Sequence, residues 1–116
     1  MKRALAIALV LSLPASAVFA HADLASGAPA EGATLAAPAA LTLTFSEPVT
    51  PAFTGIRLKG ADGGEVAVGV ASFSADGLTL TVPTTTNLAP GAYVVTWHAL
   101  SEDGHKSQGS YGFTVK

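Results

Sequence analysis

Large apolar residues in this chain recur at every second position, in short sets, and no stretch keeps a long 3.6-residue apolar period. Leu41, Leu43 and Phe45 alternate with Thr42, Thr44 and Ser46, Ile56 and Leu58 with Arg57 and Lys59, and Leu78, Leu80 and Val82 with Thr79 and Thr81. Val66, Val68 and Val70 form another set, Val95 and Trp97 alternate with Thr96 and His98, and Tyr111, Phe113 and Val115 make the last one. A period of two gathers each set on one face of a pleated strand, whereas a helix would scatter it. The sequence therefore predicts an all-β chain whose strands bury one face each.

Turn chemistry separates the sets. Ala61-Asp62-Gly63-Gly64, Asp76-Gly77 and Ala89-Pro90-Gly91 each predict a hairpin, while Pro29, Glu31-Gly32 and Pro38 make residues 28–40 an irregular loop. About seven short antiparallel strands with regular turn signals predict a β-sandwich or Greek-key β-barrel. The chain has no internal repeat, low-complexity tract or linker. One domain is expected.

Residues 1–20 have the layout of a secretory signal peptide: Lys2 and Arg3, then an apolar run from Ala4 to Leu13 interrupted by Ser12, then Pro14. The run is short of the roughly 20 apolar residues that a permanent transmembrane helix needs. Later segments hold none longer, so a soluble bacterial protein of the periplasm, without stable membrane insertion, is expected. Small residues permit cleavage after Ala17, Ala20 or Ala22. The expected division is a cleaved signal over 1–20 and one domain over 21–116.

Composition limits the chemistry. Loss of Lys2 and Arg3 lowers Lys+Arg from 6 to 4 against 8 acidic residues, a balance of −4. A mildly acidic surface without basic clusters argues against nucleic acid or anionic lipid as a partner. Cysteine is absent, so an exported domain of this kind must rest on its hydrophobic core and offers metals no thiolate. Met1 is the only methionine and leaves with the signal, which removes the other soft ligand favoured by copper(I).

The candidate metal ligands lie at the two ends of the expected domain. Cleavage after Ala20 would make His21 the first residue, and its α-amino group and imidazole could then chelate one ion. Asp103-Gly104-His105 is the second set: in an extended segment residues i and i+2 share a face, so carboxylate and imidazole could address the same ion. Three nitrogens and a carboxylate oxygen suit copper(II) in tetragonal geometry, or zinc. The plain alternative is that Ser101-Glu102-Asp103-Gly104-His105-Lys106 is a polar hairpin loop and His21 a chain end in solvent. His98, next to Trp97, points to the opposite face and reads as a surface residue. Glu47 ends a strand before Pro48, where a carboxylate could support a neighbouring site. No Gly-x-Ser-x-Gly elbow, Ser-x-x-Lys pair or phosphate loop is present, and an enzyme is not expected.

Several strings together resemble CopC-like periplasmic copper-resistance proteins: His21-Ala22-Asp23-Leu24, Ala28-Pro29-Ala30-Glu31-Gly32, Leu43-Thr44-Phe45-Ser46-Glu47-Pro48-Val49, Gly91-Ala92-Tyr93-Val94-Val95-Thr96-Trp97, Ser101-Glu102-Asp103-Gly104-His105 and Gly109-Ser110-Tyr111-Gly112-Phe113-Thr114-Val115. The resemblance implies an Ig-like, seven-stranded Greek-key β-barrel or sandwich that binds copper in the service of copper homeostasis and resistance. It implies cleavage before His21, one copper(II) ion held by His21, Asp103 and His105, and Glu47 close to that site. Some members also carry a methionine-rich copper(I) loop. The corresponding stretch here, roughly residues 51–70, has neither Met nor His, which implies a copper(II)-only member. The implied partner is a CopD-like inner-membrane copper transport protein, and the implied state a monomer. A small copper oxidase-type centre is the alternative of another class, and a metal-free scaffold the third.

Overall fold

The computed structural model describes residues 22–116. Among the described residues nine strands form in chain order: β1 (Leu24–Ala28), β2 (Thr34–Leu35), β3 (Ala40–Phe45), β4 (Gly55–Gly60), β5 (Glu65–Val66), β6 (Ser72–Phe73), β7 (Thr79–Pro83), β8 (Gly91–Leu100) and β9 (Lys106–Val115). They make two sheets, one ordered β1-β3-β7-β6 and the other β2-β9-β8-β4-β5. The fold is the expected β-sandwich. Alternation sets which side chains meet between the sheets. Leu41, Leu43 and Phe45 of β3 and Leu80 and Val82 of β7 face Leu58 of β4, Val95, Trp97 and Ala99 of β8, and Tyr111, Phe113 and Val115 of β9, all buried. The Phe45 ring meets Trp97 edge-on across the core, with ring centres 5.5 Å apart, and Tyr93 stacks on Phe113 at the same separation.

The local details depart from the pattern in three places. Residues 28–40 are not wholly irregular, because β2 pairs with the end of β9, and in parallel. The valines at 66, 68 and 70 do not share one strand. Val66 pairs with Leu58 in one sheet, Val68 bridges to Thr84 beside the other, and Val70 is exposed. The chain changes sheets there, so a period-two pattern no longer means one continuous face. Ala61-Asp62-Gly63-Gly64 and Asp76-Gly77 do turn hairpins, with Gly63 and Gly77 at positive φ. Ala89-Pro90-Gly91 instead leads from β7 to β8, which lie in different sheets.

β8 and β9 are the longest strands, paired over all ten residues from Gly91↔Val115 to Leu100↔Lys106. The loop 101–105 is therefore carried on the tip of the longest hairpin among the described residues.

Candidate metal centre

The inward-facing row of β8, Tyr93, Val95, Trp97 and Ala99, continues to Ser101, which is buried although polar. Ser101 also bridges to Val49, just after β3, so the hairpin tip is tied to the segment that leaves the opposite sheet. Its backbone N–H donates to the His105 carbonyl at 2.9 Å, and Gly104 N–H donates to the Ser101 carbonyl at 2.9 Å. These bonds close a tight turn whose φ of 91° at Gly104 suits glycine, having no Cβ to clash there.

Asp103 and His105 come together inside this turn. Oδ2 of Asp103 lies 3.1 Å from Nδ1 of His105, and both side chains are partly open to solvent. The sequence argument reached the same juxtaposition by a different route, an extended i, i+2 pair. The segment is a turn, and the turn, not strand pleating, aims the two groups at each other. Ser101 Oγ donates to Asp103 Oδ1 and accepts the His105 N–H at 3.1 Å. The Ser101 hydroxyl, followed by His105, holds the Asp103 carboxyl below the ordinary carboxylate range, so the group is an anion at neutral pH.

Glu47 faces a small cavity of about 140 Å³ that it shares with Pro48, Ser101, Glu102 and Asp103. Glu102 N–H donates to the Pro48 carbonyl at 3.2 Å, drawing the loop after β3 against the hairpin tip. Three carboxylates thus border one concave spot at this end of the sandwich.

The beginning of the described chain lies at the same end. Ala22 is fully buried, and its carbonyl accepts the Ser107 hydroxyl at 2.6 Å. Asp23 exchanges two bonds with Ser46, its N–H donating to the serine hydroxyl at 3.0 Å and its carbonyl accepting the Ser46 N–H at 2.8 Å. Ser107 stands two residues after His105 and Ser46 one before Glu47, so residues 22 and 23 are clasped between the two segments that carry the candidate ligands. His21 lies outside the described residues. Among the described residues no group of three or more His, Cys, Asp or Glu side chains stands ready to hold a metal.

His98 projects from the outer face of β8, as its neighbour Trp97 required. Its ring packs over Gly55 of β4, where an added Cβ would come within 3.0 Å of Cε1. It lines a broad outer groove with Phe53 and Leu100 and takes no part in the Asp103–His105 pair. Sequence reasoning missed the three serines that organise the end. The signal was available: Ser101 and Ser107 fall at inward positions of the β8 and β9 alternation, where a hydroxyl must find a partner.

Relatives of known identity share this architecture. The chain is 42% identical to Protein YobA of Escherichia coli strain K12 over 118 aligned residues, covering all of this chain and 94% of that one. The crystal structure of CopC from Methylosinus trichosporium OB3b superposes with a TM-score of 0.77 at 36% identity, over 83% of this chain and 94% of its own. That of PcoC, a methionine-rich copper resistance protein from Escherichia coli, gives 0.75 at 35% identity, over 84% of this chain and 100% of its own. Residues 24–116 match the CopC domain. With fold, length and sequence in agreement over nearly the whole described chain, the protein belongs to the CopC domain family.

Proposed function

We propose that this protein is a periplasmic copper(II) carrier, with one ion as cargo at the hairpin end of the sandwich. Signal cleavage after Ala20 leaves the domain 21–116, and His21 then supplies its amine and imidazole, His105 an imidazole and Asp103 an anionic oxygen. Glu47 stands close by as a supporting carboxylate. The Asp103–His105 pair carries the reading. Two donors bound cis to one ion at about 2.0–2.1 Å, as for imidazole nitrogen on zinc, lie about 2.9 Å apart. The observed 3.1 Å is close to that separation. The burial of Ala22 and its bond to Ser107 support the third contributor, because residue 21 is one peptide unit, 3.8 Å between Cα atoms, from a fixed point beside the hairpin.

The copper-resistance role named for PcoC favours copper among the metals this donor set accepts. With no cysteine and no methionine after Met1, the domain lacks soft ligands, which favours the divalent state. A binding protein with these donors sequesters copper(II) and passes it to a CopD-like membrane partner, and performs no reaction of its own.

Copper(II) titration monitored by electron paramagnetic resonance tests this on protein beginning at His21. One ion binds, and Asp103→Ala, His105→Ala and a single extra residue before His21 each weaken it at least about tenfold, since loss of a partner that only orients a ligand already costs about 10- to 100-fold. His98→Ala leaves binding unchanged. Equal affinity with and without the extra residue would remove the amine from the ligand set, and oxygen-dependent turnover with a reductant would replace the carrier by an oxidase.

A further inference from the structure

We infer that Ser101 is a positioning residue that makes Asp103 bind the ion through one oxygen. This rests on the copper(II) reading of Asp103 and His105 and deepens it, giving a task to a side chain that touches no metal.

Ser101 occupies an inward position at which Val95, Trp97 and Ala99 precede it, and it is 2% exposed. A hydroxyl there is costly unless it is bonded. Its hydroxyl donates to Asp103 Oδ1, with the His105 carbonyl a more distant acceptor at 3.2 Å, and its oxygen accepts the His105 N–H. One group therefore holds the Asp103 carboxyl and the backbone of His105. With Oδ1 engaged from the buried side, Oδ2 is the oxygen left facing His105 Nδ1, at 3.1 Å. A one-oxygen carboxylate cis to an imidazole matches tetragonal copper(II), whereas a two-oxygen carboxylate suits calcium, which takes many oxygen ligands. Two backbone bonds of the turn, Ser101 N–H to His105 O and Gly104 N–H to Ser101 O, are independent of the hydroxyl, which itself also bonds the His105 backbone. Ser101→Ala therefore removes the grip on the Asp103 carboxyl while two backbone bonds still close the turn.

Ser101→Ala, Ser101→Thr and the pair Asp103→Ala and Ser101→Ala/Asp103→Ala test this on protein beginning at His21, by copper(II) competition against a chelator and paramagnetic resonance. Ser101→Ala loses about 10- to 100-fold in affinity, the usual effect of removing a partner that orients a metal ligand, and its spectrum shifts. Ser101→Thr, which keeps the hydroxyl, retains the parent spectrum. With Asp103 already gone, losing Ser101 costs less affinity than it does in the parent, because the grip on Asp103 is no longer there to lose and coupled residues are not additive. Ser101→Ala that matches the parent in affinity and spectrum, while His105→Ala loses copper, overturns the positioning role and leaves the site standing. If the parent and His105→Ala bind alike, both readings fall. A loss as large without Asp103 as with it would assign the effect to general loosening and overturn the inference. The parent protein gives an independent readout. With carboxyl-labelled aspartate, the infrared difference on copper loading shows a one-oxygen carboxylate, and a two-oxygen pattern overturns the inference whether or not Ser101→Ala folds.

Discussion

Ser107→Ala separates a chain start that is merely adjacent to the hairpin from one that is held there. The hydroxyl reaches the Ala22 carbonyl at 2.6 Å, and Ala22 is fully buried, so water cannot replace the donor while the chain stays seated. A buried acceptor left without its bond costs about 1–3 kcal/mol. If residue 22 stays in place, the metal-free domain carries that loss, and Tm falls by roughly 4–8 °C per kcal/mol for a domain of this size. If residue 22 lets go, the metal-free domain changes little and copper binding must reseat it. At about 1.4 kcal/mol per factor of ten, the same loss then appears as roughly a 5- to 150-fold weaker affinity. Calorimetry of the metal-free protein and copper(II) competition, both on protein beginning at His21, measure the two shares, which together account for about 1–3 kcal/mol. A variant within about 1 °C of the parent in Tm and within about twofold in affinity would refute the argument that this bond anchors the chain start.

Two further outcomes test the core. Gly109 pairs with Trp97 across β8 and β9, and a Cβ there would lie 2.8–3.0 Å from ring atoms of Trp97. Gly109→Ala must displace that ring from its edge-on contact with Phe45, costing about 1–3 kcal/mol, read as a lower Tm and altered emission from the chain's single Trp. An unchanged Tm and emission would show that the ring has room to spare. The Tyr111 hydroxyl is buried without a hydrogen-bond partner among the described residues, and burial raises its pKa. The folded value exceeds the unfolded one, so the associated stability is whole below about pH 10 and is lost as pH rises through the folded pKa. Tyr111→Phe should be at least as stable at pH 7, by up to about 1 kcal/mol, and should lose less stability than the parent above pH 10 in urea titrations. A lower urea midpoint for Tyr111→Phe at pH 7 would mean that the hydroxyl does have a partner.

What could be read from the residues was whatever depends on local spacing. Alternation placed Leu41, Leu43, Phe45, Val95, Trp97, Tyr111 and Phe113 inside and sent His98 outward, because strand pleating is a property of successive residues. Partner strands are set by the whole chain, so the parallel pairing of β2 on β9 and the change of sheets between Val66 and Val68 left no local mark. The Asp103–His105 proximity was legible from spacing, although the turn that creates it needs Gly104 at positive φ and the bond between Ser101 N–H and His105 O. The serines escaped notice because a serine in a polar run looks like solvent-facing loop. Only the continuation of the β8 and β9 rows shows that Ser101 and Ser107 turn inward.

β9 has a further consequence, for attachment. Its first residues lie by the Asp103–His105 turn and by the clasp on Ala22, whereas Val115 pairs with Gly91 at the far end of the hairpin. From Ser107 to Val115 the strand runs about 27 Å at 3.3–3.4 Å per residue. Anything joined after Lys116 leaves from the pole opposite the turn. A surface, bead or second protein linked at that pole would hold the domain like a lamp on a stalk, with the turn facing outward. The same cargo linked ahead of Ala22 would sit against the turn itself.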